Sequence, residues 1–310
     1  MRTGAATGHV GYFHETAFYA SDDDFRSIVL PFVDDGVAAG EPVVVACRPD
    51  NERLVREAVA DPSGVVFLAG ADQYDRPTEA IVAYRKLFAE YAGVTQIRVV
   101  GDVPHPGVGA SWDWWSRYEA AVNDVFDEFP LWGLCPYDLR TTPARVLADV
   151  ARTHPHVAGT DGSHLANPRF RTSWALPTAG PTAFEAGLPA VELTDPTPAE
   201  ARRAVTAACG VARLSHDEVD DIVYAASEAV TNAQCHGRPP VRLRAWAGPS
   251  HVLVAVTDRG EGPSSPLAGL VPTDRTTTAG VGLWLTHRTC RDVIMTRDPE
   301  GYTIRLLIGS

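Results

Sequence analysis

Lysine is nearly missing from this chain. Lys86, in AIVAYRKLFAEYA, is the sole example among 310 residues. That shortage excludes two kinds of nucleotide site: a P-loop needs the lysine of G-x-x-x-x-G-K-[ST], and a kinase of the eukaryotic kind needs one on its third strand. Any nucleotide site here must be built from Asn, Asp, Glu, Gly and Arg. Long apolar runs are missing as well. No stretch approaches the ~18 residues of a membrane span, and the N-terminus, MRTGAATGHVGYFHE, has no apolar core of a secretory signal. The five cysteines (Cys47, Cys135, Cys209, Cys235, Cys290) form no C-x-x-C pair. They read as reduced thiols of a cytoplasmic protein, not as a disulfide or zinc frame. Clustered cations are lacking, and the net charge is −12. This argues against direct binding to nucleic acid, whose phosphates need cations to neutralise them, and leaves room for a basic protein partner.

What is present divides the chain in two. Between residues 12 and 152, short apolar runs alternate with amphipathic stretches. The strand candidates are FHETAFYA, PVVVACR (42–48), GVVFLAG (64–70), QIRVVGD (96–102) and PLWGLCPYD (130–138). Continuous apolar strands separated by helices predict a parallel α/β sheet, doubly wound and covered on both faces. Residues 159–182 turn rich in Gly, Pro, Ser and Thr and lose their periodicity, which places a linker at 161–182. Beyond it, TPAEARRAVTAACGVA reads as a helix. LSHDEVDDIVYAASEAVTNAQCHG reads as a longer one, with an S-x-x-E capping box at Ser215 and Glu218 and a stop at Gly237. Strands follow at 241–247, 251–258, 292–298 and 301–309, joined as hairpins would be. The expectation is an α+β layer, mostly antiparallel, with helices on one face.

Three signals in this second half carry chemistry. Glu228 and Asn232 lie four apart on the long helix and so share one face, away from the apolar stripe. A carboxamide and a carboxylate together suit a magnesium ion that keeps part of its water shell; alternatively, the carboxylate accepts a proton from an attacking hydroxyl. Asp258 ends a Val-rich strand and is followed by Gly260 and Gly262. An acid there can accept from an exocyclic amine, while the glycines let the backbone approach a flat base. After a polar segment, 263–279, Gly280 and Gly282 open a further helix, whose free N–H groups would hold phosphate.

In this order the three signals resemble the N, G1 and G2 boxes of the GHKL ATPases, which have the Bergerat ATP-binding fold. The resemblance covers residues 183–310. It implies ATP and Mg²⁺ as ligands, Glu228 as general base, Asn232 on the metal and Asp258 on the adenine amine. It also places Gly260, Gly262, Gly280, Val281, Gly282 and Leu283 around the nucleotide, and Arg275, Thr277 and Thr278 in a lid over the phosphates. The compact EAVTNA form is most similar to the anti-sigma-factor serine kinases. Such a kinase phosphorylates an anti-anti-sigma (STAS-type) protein, sequesters a sigma factor, and is often a homodimer. Two other functions stay open: a non-catalytic ATP-binding module that only sequesters a sigma factor, and an unorthodox sensor histidine kinase. His216 has the local look of a phospho-acceptor but falls on the same helix as Glu228, and reads as an exposed first-turn residue. His236 and Cys235 read as a helix-end partner and an inert thiol.

The first half offers less chemistry. Asp102, at the end of QIRVVGD, is similar to the strand-end acid of RecA-like ATPases. But FYASDDDFRS after the first strand has no glycine, no lysine and three acids, and would repel phosphate. The expectation is a RecA-like sheet without ATPase chemistry. FHETAFYASDDDF, PFVDDGVAAGEPVVVAC, WSRYEAAVNDVF, LCPYDLR and VARTHPHV together resemble the MEDS sensory domain over residues 9–160, which implies sensing of a small organic ligand. GDVPHPGVGASW departs from the expected Gly-Glu-Met-like run. Trp112, Trp114, Trp115, Cys135 and Tyr137 are read as core aromatics and thiol before pocket lining, and His154 and His156 as a turn before a metal pair.

Overall fold

The computed structural model describes residues 1–68, 76–108, 112–171, 182–185, 187–265, 267–271 and 281–309, excepting the side chains of Val108, Asp113, Trp114 and Asp298. The chain forms two compact units, Met1–Ser173 and Trp174–Ser310.

The first unit is built on a sheet of seven described strands: β1 (Phe13–Tyr19), β2 (Val43–Ala46), β3 (Val65–Phe67), β4 (Ile97–Gly101), β5 (Leu131–Asp138), β6 (His156–Ala158) and β7 (His164–Ala166). Their order is β3-β2-β4-β5-β1-β6-β7. Every pairing is parallel except β6 with β7. Alternation along the strands sends side chains to two faces. Phe13, Ala17, Val43, Val45, Val100, Trp132 and Leu134 enter a core with Phe25, Ile28, Val29 and Phe32 of α1 (Asp22–Ala38) and Leu54 and Val55 of α2 (Pro49–Ala58). His14, Val99, Gly133 and Cys135 face the other way. There they meet Tyr84 and Phe88 of α3 (Pro77–Glu90) and Tyr118, Glu119 and Val122 of α4 (Trp112–Val125). Helix α5 (Ala144–Thr153) packs on α4. Burial on both sides is why these strands read as unbroken apolar runs.

Three strands were not expected from sequence: His156–Ala158, read as part of a turn, forms β6 and pairs parallel with β1. His164–Ala166, placed in the linker by composition, pairs with β6 instead. The third is in the other unit, where Val191–Thr194 forms β8, an edge strand with alternate residues exposed. That unit's sheet runs β11-β12-β10-β9-β8, with β9 (Arg242–Ala247), β10 (His251–Asp258), β11 (Asp292–Asp298) and β12 (Gly301–Gly309), and all its pairings are antiparallel. Helices α6 (Pro198–Cys209) and α7 (His216–His236) pack on it, and α8 (Val281–Thr289) packs on α7. Ser215 and Glu218 close the capping box that starts α7. Ile222, Ala225, Ala226, Ala229, Val230 and Ala233 are its buried stripe, and the small residues bring its axis close to the sheet. Trp246, Leu253, Ala255 and Leu307 cluster on the reverse face. Arg305 on that face is buried and ion-paired with Glu185 at 2.8 Å; it also donates to Thr296 Oγ1 at 2.8 Å.

Candidate nucleotide-binding site

The site is organised by α7. Its buried stripe turns Glu228 and Asn232 to the opposite side, where both are half-buried. Neither makes a hydrogen bond to another described residue. Both side chains are therefore left to water or to a ligand. One turn earlier, Tyr224 has its phenol pKa raised by burial and by the neighbouring Glu228.

Two glycines mark close approaches to α7 at different levels of the helix. At the far end, a β-carbon on Gly237 would overlap the Asp258 carboxylate. The close approach lets Asp258 Oδ1 accept from Arg238 N at 3.1 Å and from Gly260 N at 2.6 Å. Arg259 N donates back to Arg238 O at 2.8 Å. Asp258 is thus buried and clamped, with its second oxygen outside these bonds. Gly262 follows at φ +69°, a left-handed conformation that favours glycine. At the near end, Gly282 stands in the first turn of α8, and a β-carbon there would overlap the Glu228 carboxylate. From Glu228 to Asn232 the helix rises about 6 Å, and from Asn232 to Gly237 about 7 Å more. Along the helix axis Asn232 therefore lies between the level of Glu228, against which Gly282 of α8 packs, and that of Gly237, against which Asp258 packs.

The structure brings together Glu228, Gly282 and the start of α8 at one end, and Asp258, Gly260 and the end of α7 at the other. Arg275, Thr277, Thr278 and Gly280 lie outside the described residues. Sequence reasoning took Gly237 only as a helix stop and missed its role, and that of Arg238, in holding Asp258. Gly237 has φ −86°, so space and not conformation requires it there, and no local pattern announces that. A cleft of about 470 Å³ opens beside Asp258, lined by Arg242, Arg259, Arg297 and Gly260; it includes neither Glu228 nor Asn232.

In the first unit, Asp102 is buried and satisfied by Arg48 N at 2.9 Å and by the Asn51 amide. His154 and His156 do not act as a pair: His154 packs on His14, whereas His156 stacks on Phe13, on the opposite sheet face. Trp112 donates to Asp149 at 3.0 Å, Trp115 is buried against Tyr118, and Tyr137 donates to Glu119 at 2.5 Å. Burial pushes the Glu119 carboxyl up to about 8, with Tyr137 opposing, and holds His154 down to about 4. His216 is exposed. All five cysteines are free thiols. Among the described residues, no helix is long and apolar enough to cross a membrane.

An α/β unit followed by an antiparallel sheet with helices fits, at a coarse level, a GHKL-type domain placed after a separate α/β domain. The family models agree. Residues 13–155 match the methanogen/methylotroph DcmR sensory domain, MEDS, and residues 192–308 match the histidine kinase-like ATPase domain. The chain is a fusion of a MEDS domain with a GHKL-like ATPase domain. No curated protein matches it.

Proposed function

We propose that the protein is a signal-regulated protein kinase of the anti-sigma type. Its second domain would bind Mg·ATP, and its MEDS domain would respond to a small organic ligand. The observation that carries this reading is the pair Glu228 and Asn232 on one face of α7, with the start of α8 against Glu228 and the clamped Asp258 against the end of the same helix. The residues suit the ligand: the Asn232 side chain has no hydrogen-bond partner among the described residues, and Asp258 keeps one carboxylate oxygen outside its two backbone bonds.

Mg·ATP, when bound, supplies the phosphoryl group to be transferred. Asn232 would offer its amide oxygen to the cation. Asp258, through its second carboxylate oxygen, would accept from the purine amine. The N–H groups at the start of α8 would face phosphate. Glu228 would take the proton of the attacking Ser or Thr hydroxyl. The substrate in this reading is an anti-anti-sigma protein of the STAS type, and a sigma factor is the sequestered partner. The histidine-kinase alternative is disfavoured, because His216 lies about 18 Å from Glu228 along the same rigid helix and cannot reach the site in the same chain.

The test uses the full chain, radiolabelled ATP and purified STAS-type proteins. Acid-stable label on Ser or Thr, lost in Glu228→Ala, is the expected result. Tight ATP binding with no transfer would turn the reading to a sequestering module. Acid-labile label on the chain itself would restore the histidine kinase. Calorimetry with no heat for either ATP or ADP would remove the nucleotide site.

A further inference from the structure

On the face of the first sheet covered by α3 and α4, four side chains from separate segments meet: His14 of β1, Glu119 of α4, Cys135 of β5, and His154 just beyond α5. All are buried, and one ligand-type atom from each lies within 4.8 Å of the others. Cys135 Sγ is 3.5 Å from His14 Nε2. Glu119 Oε2 is 3.6 Å from His14 Nε2 and 3.3 Å from His154 Nε2. A tetrahedral zinc ion with nitrogen and oxygen at about 2.0 Å and sulfur at about 2.3 Å has ligand-to-ligand edges of about 3.3 Å, lengthening to about 3.5 Å where sulfur takes part. The three separations fit those edges.

The surroundings fix which atoms point inward. Asn123 donates its amide N–H to the carbonyls of Glu119 and Thr153. Its Oδ1, 3.1 Å from His14 Nδ1, must therefore be the acceptor. His154 Nδ1 is 2.9 Å from the Val150 carbonyl, which only accepts. Both imidazoles thus carry their proton on Nδ1 and turn the Nε2 lone pair into the cluster. Tyr137 takes Glu119 Oε1. Glu119 Oε2 and His154 Nε2 are left buried without a hydrogen bond. The Cys135 thiol reaches the His14 lone pair, but Glu119 Oε2 and His154 Nε2 face each other at 3.3 Å with no hydrogen bond; one cation would engage all four atoms at once.

We propose that His14 Nε2, Glu119 Oε2, Cys135 Sγ and His154 Nε2 form a binding site for one divalent transition cation of the zinc class. A thiolate and two imidazoles select such an ion over Mg²⁺ or Ca²⁺. On binding, the Cys135 thiol gives up its proton to solvent, as does Glu119 where it is protonated. A cavity of about 30 Å³, lined by His14, Glu119 and Cys135 together with Tyr84, Phe88 and Phe126, adjoins the cluster. It is large enough for a water-sized group beside the ion. The proposal is independent of the nucleotide reading.

The test is metal analysis of the full chain, purified without chelator, followed by cobalt(II) titration of the metal-stripped protein. The expected result is about one zinc-class ion per chain. Cobalt should give a thiolate-to-metal charge-transfer band with the intense visible bands of a tetrahedral site, saturating at one equivalent. Cys135→Ser should abolish the charge-transfer band, and Cys235→Ser, at the exposed thiol, should leave it intact. Wild-type protein that holds no stoichiometric transition metal and gives no charge-transfer band with cobalt overturns the proposal, even if the Cys135 variant fails to fold. A band lost with Cys235→Ser and kept in Cys135→Ser overturns it as well.

Discussion

Replacing Gly282 by alanine separates a structural role for this glycine from a functional one. Gly282 lies in the first turn of α8, where alanine improves intrinsic helix propensity by up to about 1 kcal/mol. The added carbon would overlap the Glu228 carboxylate, which is the tip of a flexible side chain. The least costly response is for that carboxylate to swing aside. Stability, read from urea unfolding, should therefore stay within about 1 kcal/mol of wild type or rise. Phosphoryl transfer should fall by ~10²-fold, the usual consequence of moving a positioned group by about 1 Å. Glu228→Ala should cost ~10²- to 10⁴-fold, as loss of a general base does. Single-turnover label transfer to a STAS-type protein, with saturating ATP, measures both. A Gly282→Ala protein that is at least as stable as wild type and transfers label at the wild-type rate would refute the assignment of Glu228 to that end of the site.

Three further outcomes are expected. Asn232→Ala should weaken ATP binding in the presence of magnesium and have much less effect in EDTA, as calorimetry in the two buffers would show; equal losses in both would contradict a metal-binding role. Arg305→Met strands Glu185 in a buried position, and breaking such a pair costs about 3–5 kcal/mol. Combining it with Glu185→Leu should recover much of the loss in thermal or urea unfolding. Finally, His164 has its pKa raised by the hydrogen bond to Glu15, 2.9 Å away. Its folded value exceeds the unfolded one, so its contribution is complete below about pH 6.5 and disappears as pH rises through the folded value. His164→Gln should reduce the decline in urea midpoint across that window, and an unchanged slope would count against the pair.

Much of the fold was legible because burial writes itself into the sequence. The five apolar runs of the first half became β1 to β5, and the capping box at Ser215 and Glu218 marked the start of α7. Strands β6, β7 and β8 were not legible, since two three-residue strands and a half-exposed edge strand bury too little to impose a pattern. The pairing of Glu228 with Asn232 could be read from helical spacing alone. The packing of Gly237 on Asp258 could not, because it joins positions 21 apart in sequence and depends on how α7 lies on β10. His14 was passed over for a related reason. Within FHETAFYA it is one polar residue in a strand, and only the fold sets it beside His154, Glu119 and Cys135.

Helix α7 acts as a ruler for the second domain. Inserting one residue between Glu228 and Asn232, or between Asn232 and Gly237, would keep every short motif recognisable. It would also rotate everything beyond it by about 100° and carry one set of groups round to the sheet side. On the proposed reading, activity would depend on angular phase along one rod, and a screen scoring motifs alone would pass chains in which that phase has been lost.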